Sequence, residues 1–427
     1  MAWPRIEIMA VEQTLAELVA IDSVSASSNA EIISYLEARC EAFGFTVKRF
    51  PHFDETGVEK INLVARTSFG VSRQSEAATA LSMPAISSAG PSSKVPSTLR
   101  SAGALQITSQ AEAYAAVELA LVGHTDTVPY DSSWTDALKL TESDGKLYGR
   151  GACDTKAFIA ATLTAIENID LKRLKKPLAL VFTADEEIGC LGAKRLADAR
   201  PFTARYAIVG EPTSLQPMRA GKGYCLAGIT VRGREAHSAY PQLGASAIFR
   251  AARLINRLEE IAEDLKSEAR AEFDPPCTTL NVGLIEGGTA KNIVAGECRF
   301  TLEWRTIPGQ ESDHVLNLVK RAVDDLQKLD PDFICQIDAA RADESFETRA
   351  DSPLVHFLEE SSNKPSGTVA FGTEAPSMIA LGADAVVFGP GDIRVAHRTG
   401  EFVPIDELNR CVSILRRTIE HLCLWSG

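Results

Sequence analysis

Two rhythms of apolar positions run along this chain, and the switches between them mark its elements. Apolar residues recur every three or four positions over residues 10–20 and again through "AEIISYLEARCEAFGF", which predicts two helices, the second ended by Gly44. "FTVKRF" and "INLVART" have the β-branched and aromatic content of strands. Further on, "AVELALVGHTDTVP" reads as a strand running into a polar loop and "DTKAFIAATLTAIENI" as a helix. The strand "LALVFTADEE", the short helix "CLGAKRLADAR" and the strand "RYAIVGEPT" follow. Strands alternating with helices predict an α/β fold, a mostly parallel mixed sheet covered by helices on both faces.

From about Met218 the order changes. "CLAGITVRG" is strand-like, "GASAIFRAARLINRLEEIAEDL" is a long amphipathic helix, and "TTLNVGLIEGG" and "ECRFTLEWRTI" are two strands. The helix "HVLNLVKRAVDDLQKL" and the strand "FICQIDAAR" complete a β-α-β-β-α-β unit, the ferredoxin-like order of an α+β domain. Residues 218–341 are therefore expected to form an inserted domain. Residues 1–217 and 342–427 are expected to share the larger one. Between two strands of that larger domain, residues 71–106 are rich in Ser and Ala with almost no periodicity, and read as a surface insertion to which no chemistry attaches.

Length and composition agree with two soluble domains. The chain has 427 residues, 45% of them hydrophobic and 24% charged. A net charge of −13 argues against nucleic acid and anionic membrane as partners, and is compatible with cationic ligands or divalent metals. No window approaches the ~20 apolar residues of a membrane span, and the acids Glu7, Glu12 and Glu17 interrupt any signal-like apolar run. Nine cysteines, an odd number with no C-x-x-C pair, fit free thiols in a reducing cytoplasm.

The chemistry collects at strand ends. His124 and Asp126, Asp154, the run Asp185–Glu186–Glu187, and Glu211 mostly follow apolar strands, at the carboxyl edge where α/β sheets bind ligands. The run in "TADEEIG" poses a problem of its own, because like charges ~6 Å apart at an effective dielectric of ~20 repel by roughly 3 kcal/mol per pair. A solvated turn or a bound cation would each relieve it. Imidazole and carboxylate donors suit zinc-like ions, and His397 in "GDIRVAHRTGEF" adds a second histidine. No pair has H-E-x-x-H spacing, and His52, His314, His356 and His421 read as surface or packing residues. A cysteine-hydrolase arrangement is not recognisable.

The ordered set "GHTDTVP", "KLYGRGACDTK", "DEE", "GEPTSLQP", "EAHSAYP", "IEGGTAKNIV", "EWR", "GTEAP" and "AHRTGEFVP" resembles the dimetal aminoacylase and carboxypeptidase-like hydrolases over nearly the whole chain apart from 71–106. The resemblance implies a zinc-peptidase-like catalytic domain with an inserted lid and dimerisation domain, and two divalent ions, zinc with cobalt as the alternative. His124 and Glu211 would hold one ion, Glu187 and His397 the other, and Asp154 would bridge them. Asp126 would orient His124, and Glu186 would be the general base for a water activated between the ions. His237 would be a lid histidine reaching a partner subunit's site in a homodimer, while Asn292 and Arg305 would contact substrate. The sequence departs from the family's usual Asp-Met-Lys-Gly at Asp154-Thr155-Lys156-Ala157, and from its usual Pro-Asn-Glu-like run after the last histidine. Cys153, beside the bridging aspartate, is either a packed thiol or a further ligand.

The implied reaction is removal of the acetyl group from N2-acetyl-L-ornithine, a step of arginine biosynthesis. Succinyl-diaminopimelate, acetylcitrulline or a broad range of N-acyl amino acids are alternative substrates, and a metal-free binding protein on the same fold is the non-enzymatic one. Glu374 in "FGTEAP" is an unpaired acid that would bind the substrate's distal ammonium while Arg305 takes its carboxylate, or else caps the following helix. Asp185 is a supporting neighbour with no assigned role.

Overall fold

A computed structural model describes residues 10–67 and 115–424, so the expected insertion at 71–106 lies outside the described residues. The two helices ahead of it form as patterned, Val11–Ala20 and Ala30–Phe43, the latter closed by Gly44 at φ +95°, whose N–H bonds back to the carbonyls of Cys40 and Glu41.

Among the described residues nine strands form the large sheet, one of them, Gly367–Val369, pairing parallel with Met218–Gly221 off the main order. Its centre is parallel, in the order Leu178–Thr183, Ala115–His124, Phe202–Val209, Asp384–Val387. Antiparallel pairs extend both flanks: Glu59–Thr67 and then Phe45–Phe53 on one side, Met218–Gly221 and then Phe346–Glu347 on the other. The period-2 alternation of side chains sorts the two cores. Leu119, Leu121, Leu180, Phe182, Tyr206 and Ile208 face helices Val11–Ala20, Lys156–Glu167 and Ile405–Ile419, whereas Ala120, Val122, Val181, Ala207 and Val209 face helices Leu191–Ala199 and Ala375–Ala380. Helix Lys156–Glu167 is buried on every side from Lys156 to Ile166, which its run of Ala and Thr permits.

The second unit is a four-stranded antiparallel sheet, Thr279–Gly287, Glu297–Arg305, Tyr224–Arg232, Ile334–Asp343, with helices Ala247–Leu265 and His314–Leu329 on one face. This is the ferredoxin-like order read from the sequence. Ser246 caps the first helix, accepting from the N–H of Phe249 at 3.3 Å. Met218–Gly221 pairs in the large sheet, and the small sheet runs from Tyr224 to Asp343.

A three-stranded ribbon, Phe402–Pro404, Lys146–Tyr148 and Thr141–Ser143, ties the segment before Asp154 to the segment after His397. Among the described residues no helix is long and apolar enough to cross a membrane.

Candidate metal centre and active site

Each parallel strand of the large sheet delivers a polar residue at its carboxyl end. His124 is the last residue of its strand, Glu186 and Glu187 follow Leu178–Thr183, and Glu211 follows Phe202–Val209. His397, at φ +60°, comes from the loop after Asp384–Val387, and Asp154 enters from the segment leading into the buried helix Lys156–Glu167, through a cis Asp154–Thr155 peptide.

These residues converge as two triads that share one carboxylate. Ligand atoms of His124, Asp154 and Glu211 lie within 4.8 Å of one another, and so do those of Asp154, Glu187 and His397. His124 Nε2 is 3.0 Å from Asp154 Oδ1, while His397 Nε2 is 3.2 Å from Asp154 Oδ2 and 2.9 Å from Glu187 Oε2. The first triad is buried and the second opens to solvent through His397. Glu186 stands outside both triads, half-buried, with its Oε1 accepting a 3.2 Å bond from the Cys190 thiol.

Buried acids hold the turns that carry these ligands. Asp126 was expected to orient His124 through its carboxylate, but it is the Asp126 backbone carbonyl that accepts from His124 Nδ1, at 2.9 Å. A carbonyl can only accept, so the Nδ1 proton is fixed and Nε2 faces Asp154. The Asp126 carboxylate, 3.7 Å from that ring, instead accepts the backbone N–H of Glu186 (3.0 Å) and of Glu187 (3.2 Å), and the hydroxyl of Ser25 (2.8 Å).

Glu401 does the same on the opposite side. Its Oε1 accepts the N–H of Cys153 (2.9 Å) and of Asp154 (3.0 Å), and its Oε2 pairs with buried Arg150 at 2.6 Å. Neither Glu401 nor Arg150 stood out in the sequence. The only signal was an acid four residues after His397, inside a motif that already had its ligand.

Electrostatics mark the cluster as a place for positive charge. Burial, together with repulsion from Asp154 and Glu186, pushes Glu211 well above the ordinary carboxyl range. Burial likewise pushes Glu186 up to about 8 against the attraction of His124, with Glu187, Glu374 and Asp154 adding to the rise. Glu187 is raised by burial too. Bonds to Asp154 and Glu187 push His397 up to about 10. Burial works against a charged Asp154, yet its bonds to His124 and His397 keep it below the usual range. Two imidazoles and three carboxylates, grouped three and three around the shared Asp154 carboxylate, fit a pair of divalent cations in ligand type and charge.

Residues 120–421 match peptidase family M20/M25/M40. The chain belongs to that family. It is 50% identical over 415 residues to the acetylornithine deacetylase of Myxococcus xanthus, covering 97% of this chain and 98% of that one. The acetylornithine deacetylase of Vibrio vulnificus is 36% identical over 308 residues, 71% of this chain and 81% of that one. Among solved structures, a tripeptidase of Staphylococcus aureus superposes with a TM-score of 0.70 at 22% identity, covering 98% of this chain and 99% of that one. The M20 chain is accordingly a metal-dependent hydrolase of amides.

The remaining predicted residues fall in two places. Glu374 is in the catalytic domain, 1% exposed, and neither of its carboxylate oxygens has a hydrogen-bond partner among the described residues; the Thr183 hydroxyl sits beside it without bonding geometry. Burial pushes its pKa up to about 7. It does not cap the helix Ala375–Ala380, whose first N–H goes to Thr373 Oγ1 instead. Arg305 donates to the Ala370 carbonyl at 2.9 Å and lies over the Tyr224 ring, where it is joined by Arg341, a residue absent from the sequence reading that packs against Gly189 and Gly372.

His237 and Asn292 sit together on the exposed face of the small domain, the Ser238 N–H bonding the Asn292 carbonyl at 3.0 Å. Among the described residues neither bonds to the carboxylate cluster. Cys153 is buried, its thiol donating to the Asp392 carbonyl at 3.6 Å, and it belongs to neither triad. His52 packs against Asp185 and His421 stacks on Phe357.

Proposed function

We propose that this chain hydrolyses the acetamide of N2-acetyl-L-ornithine to L-ornithine and acetate, the deacetylation that supplies ornithine to arginine biosynthesis in the cytoplasm. The observation that carries the reading is the separation of roles within one turn: Glu187 belongs to a ligand triad and Glu186, its neighbour, belongs to none. The near full-length similarity to an acetylornithine deacetylase supports the choice of substrate.

His124, Asp154, Glu187, Glu211 and His397 would hold two divalent ions, zinc or cobalt, which when bound polarise the scissile carbonyl and acidify a water. Glu186 takes the proton of the attacking water and returns it to the departing amine. Its raised pKa in the bare donor set is the condition of a residue able to hold a proton between those two events. Asp126 keeps Glu186 on its side of the turn by accepting its N–H. In this reading Arg305 takes the substrate's carboxylate with Asn292, and Glu374, an acid short of partners, answers the distal ammonium.

His237 would act on the oxyanion from a second subunit. In support of a homodimer, the small domain exposes Ile248, Phe249, Leu284 and Ile285, the last two on an edge strand, an arrangement that calls for cover.

A panel of N-acetylornithine, N-acetylcitrulline, N-succinyl-diaminopimelate and N-acetylmethionine, assayed with added Zn²⁺ or Co²⁺ and with chelator, tests the reading. Chelator-sensitive turnover favouring N-acetylornithine is expected, and Glu374→Gln should erode that preference over N-acetylmethionine. Faster turnover of another member would reassign the substrate.

A further inference from the structure

The turn bearing Glu186 and Glu187 is gripped from a strand that supplies neither ligand nor base. Lys60 and Asn62 lie two residues apart in Glu59–Thr67, so their side chains leave the same face. That strand runs antiparallel to Leu178–Thr183 with Leu63 opposite Phe182, which sets residues 60–62 beside the point where the chain leaves the sheet. Asn62 Oδ1 accepts the N–H of Ala184 at 3.0 Å, and its Nδ2 donates to the carbonyl of Gly192 at 3.0 Å. One side-chain amide thus closes both ends of the turn. The fit leaves no room at Gly192, where a Cβ would collide with the Ala184 carbonyl and the Asn62 amide.

Lys60 acts between those ends. It is buried, its Nζ lies 3.1 Å from Asp185 Oδ1, and it donates to the carbonyls of Ser27 (2.8 Å) and Ser25. Asp185 is equally buried and sits at φ +57°, a left-handed conformation uncommon for a residue with a side chain. His52, opposite Lys60 in the strand pair, brings Nε2 to 3.5 Å from Asp185 Oδ2. Ser25 links this pair to the second brace, because its hydroxyl bonds the Asp126 carboxylate that receives the Glu186 and Glu187 N–H groups.

We propose that Lys60, Asn62 and Asp185 are positioning residues for the reaction, a buried clamp that fixes the Ala184–Gly192 turn so that Glu187 faces its triad and Glu186 stays free of it. A buried ion pair is often replaceable by apolar residues without loss of stability, so its value here is the geometry it imposes. The activity part of the inference rests on the proposed deacetylation, and the ligand-geometry part does not.

The test is the double variant Lys60→Met/Asp185→Asn, which removes both charges of the pair, leaves Asp54 (4.0 Å from Lys60 Nζ) its bonds from Thr56 and Val58, and keeps a side chain tolerant of the left-handed region. Melting, cation stoichiometry and KM should stay near wild type. The kcat should fall about 10–100-fold, the scale on which small displacements of reacting groups act, and the absorption spectrum of the Co²⁺-loaded protein should change. Lys60→Arg should retain most of the kcat. Asn62→Ser is the second variant, with the same expectation, and it decides the matter if the double variant does not fold. Wild-type kcat with an unchanged Co²⁺ spectrum, or a loss matched by the unfolded fraction, overturns the clamp. If the wild-type protein hydrolyses no N-acyl amino acid, the proposed function fails, while the Co²⁺ spectra still decide the clamp.

Discussion

The floor formed by the carboxylate cluster and the exposed face of the small domain are built on opposite plans. On the floor, Asp126 and Glu401 each accept two consecutive backbone N–H groups and so lock two ligand-bearing segments. On the small domain, His237 and Asn292 sit on two exposed loops joined by an isolated bridge, and Phe249 and Leu284 of the same domain are left bare at 76% and 73% exposure. Both candidate triads lie within one chain, whereas the exposed face would join a site only under the proposed dimer.

Removing the base probes the floor most severely. Glu186→Ala should lower kcat about 10²–10⁴-fold with cation content unchanged, since Glu186 belongs to neither triad; metal analysis beside steady-state kinetics checks it. A parallel loss of cation would show that the two glutamates do not divide their roles. The lid comes next. Phe249→Asp with Ile285→Asp should turn a dimer into a monomer by light scattering and lower kcat about 10²–10³-fold, the scale of losing an oxyanion contact. Mixing Glu186→Ala chains with His237→Ala chains sharpens this further. If His237 acts across the interface, the mixture recovers about a quarter of wild-type activity through sites intact in mixed dimers. Recovery of nothing places His237 in its own subunit's reaction, and a role in neither would leave the His237→Ala chains active by themselves. The mildest change is Glu401→Gln, which keeps the shape and weakens the hold on Asp154. Cation affinity by competition with a chelating dye should drop about 10–100-fold.

What could be read from the sequence follows the same division. The candidate ligands were legible because each stands inside a short motif, with His124, Glu187 and Glu211 at or just past the end of a parallel strand that the period-2 pattern located. The braces were not, because they act over distance: Glu401 lies about 250 positions from Asp154, and Asn62 more than 120 from Ala184. Asp126 meets His124 as expected, but not through the group its residue type suggests. Its two-residue spacing from His124 invited a side-chain contact, but the loop turns its carbonyl to the imidazole and its carboxylate to the next strand's turn. The passage between the sheets is hard to read because a strand of the large one, Met218–Gly221, runs almost directly into one of the small one, Tyr224–Arg232. Asp185, which had no role in the sequence, is the residue that meets Lys60.

The helix Lys156–Glu167 begins two residues after Asp154 and is buried from its first residue to Ile166, packed between helices Val11–Ala20 and Ile405–Ile419. An element enclosed in this way exchanges its amide hydrogens only when the whole domain opens. Asp154 is therefore moored to the slowest-exchanging part of the molecule. Stripping the cations should leave that protection intact, and returning them should restore the enzyme without a refolding step.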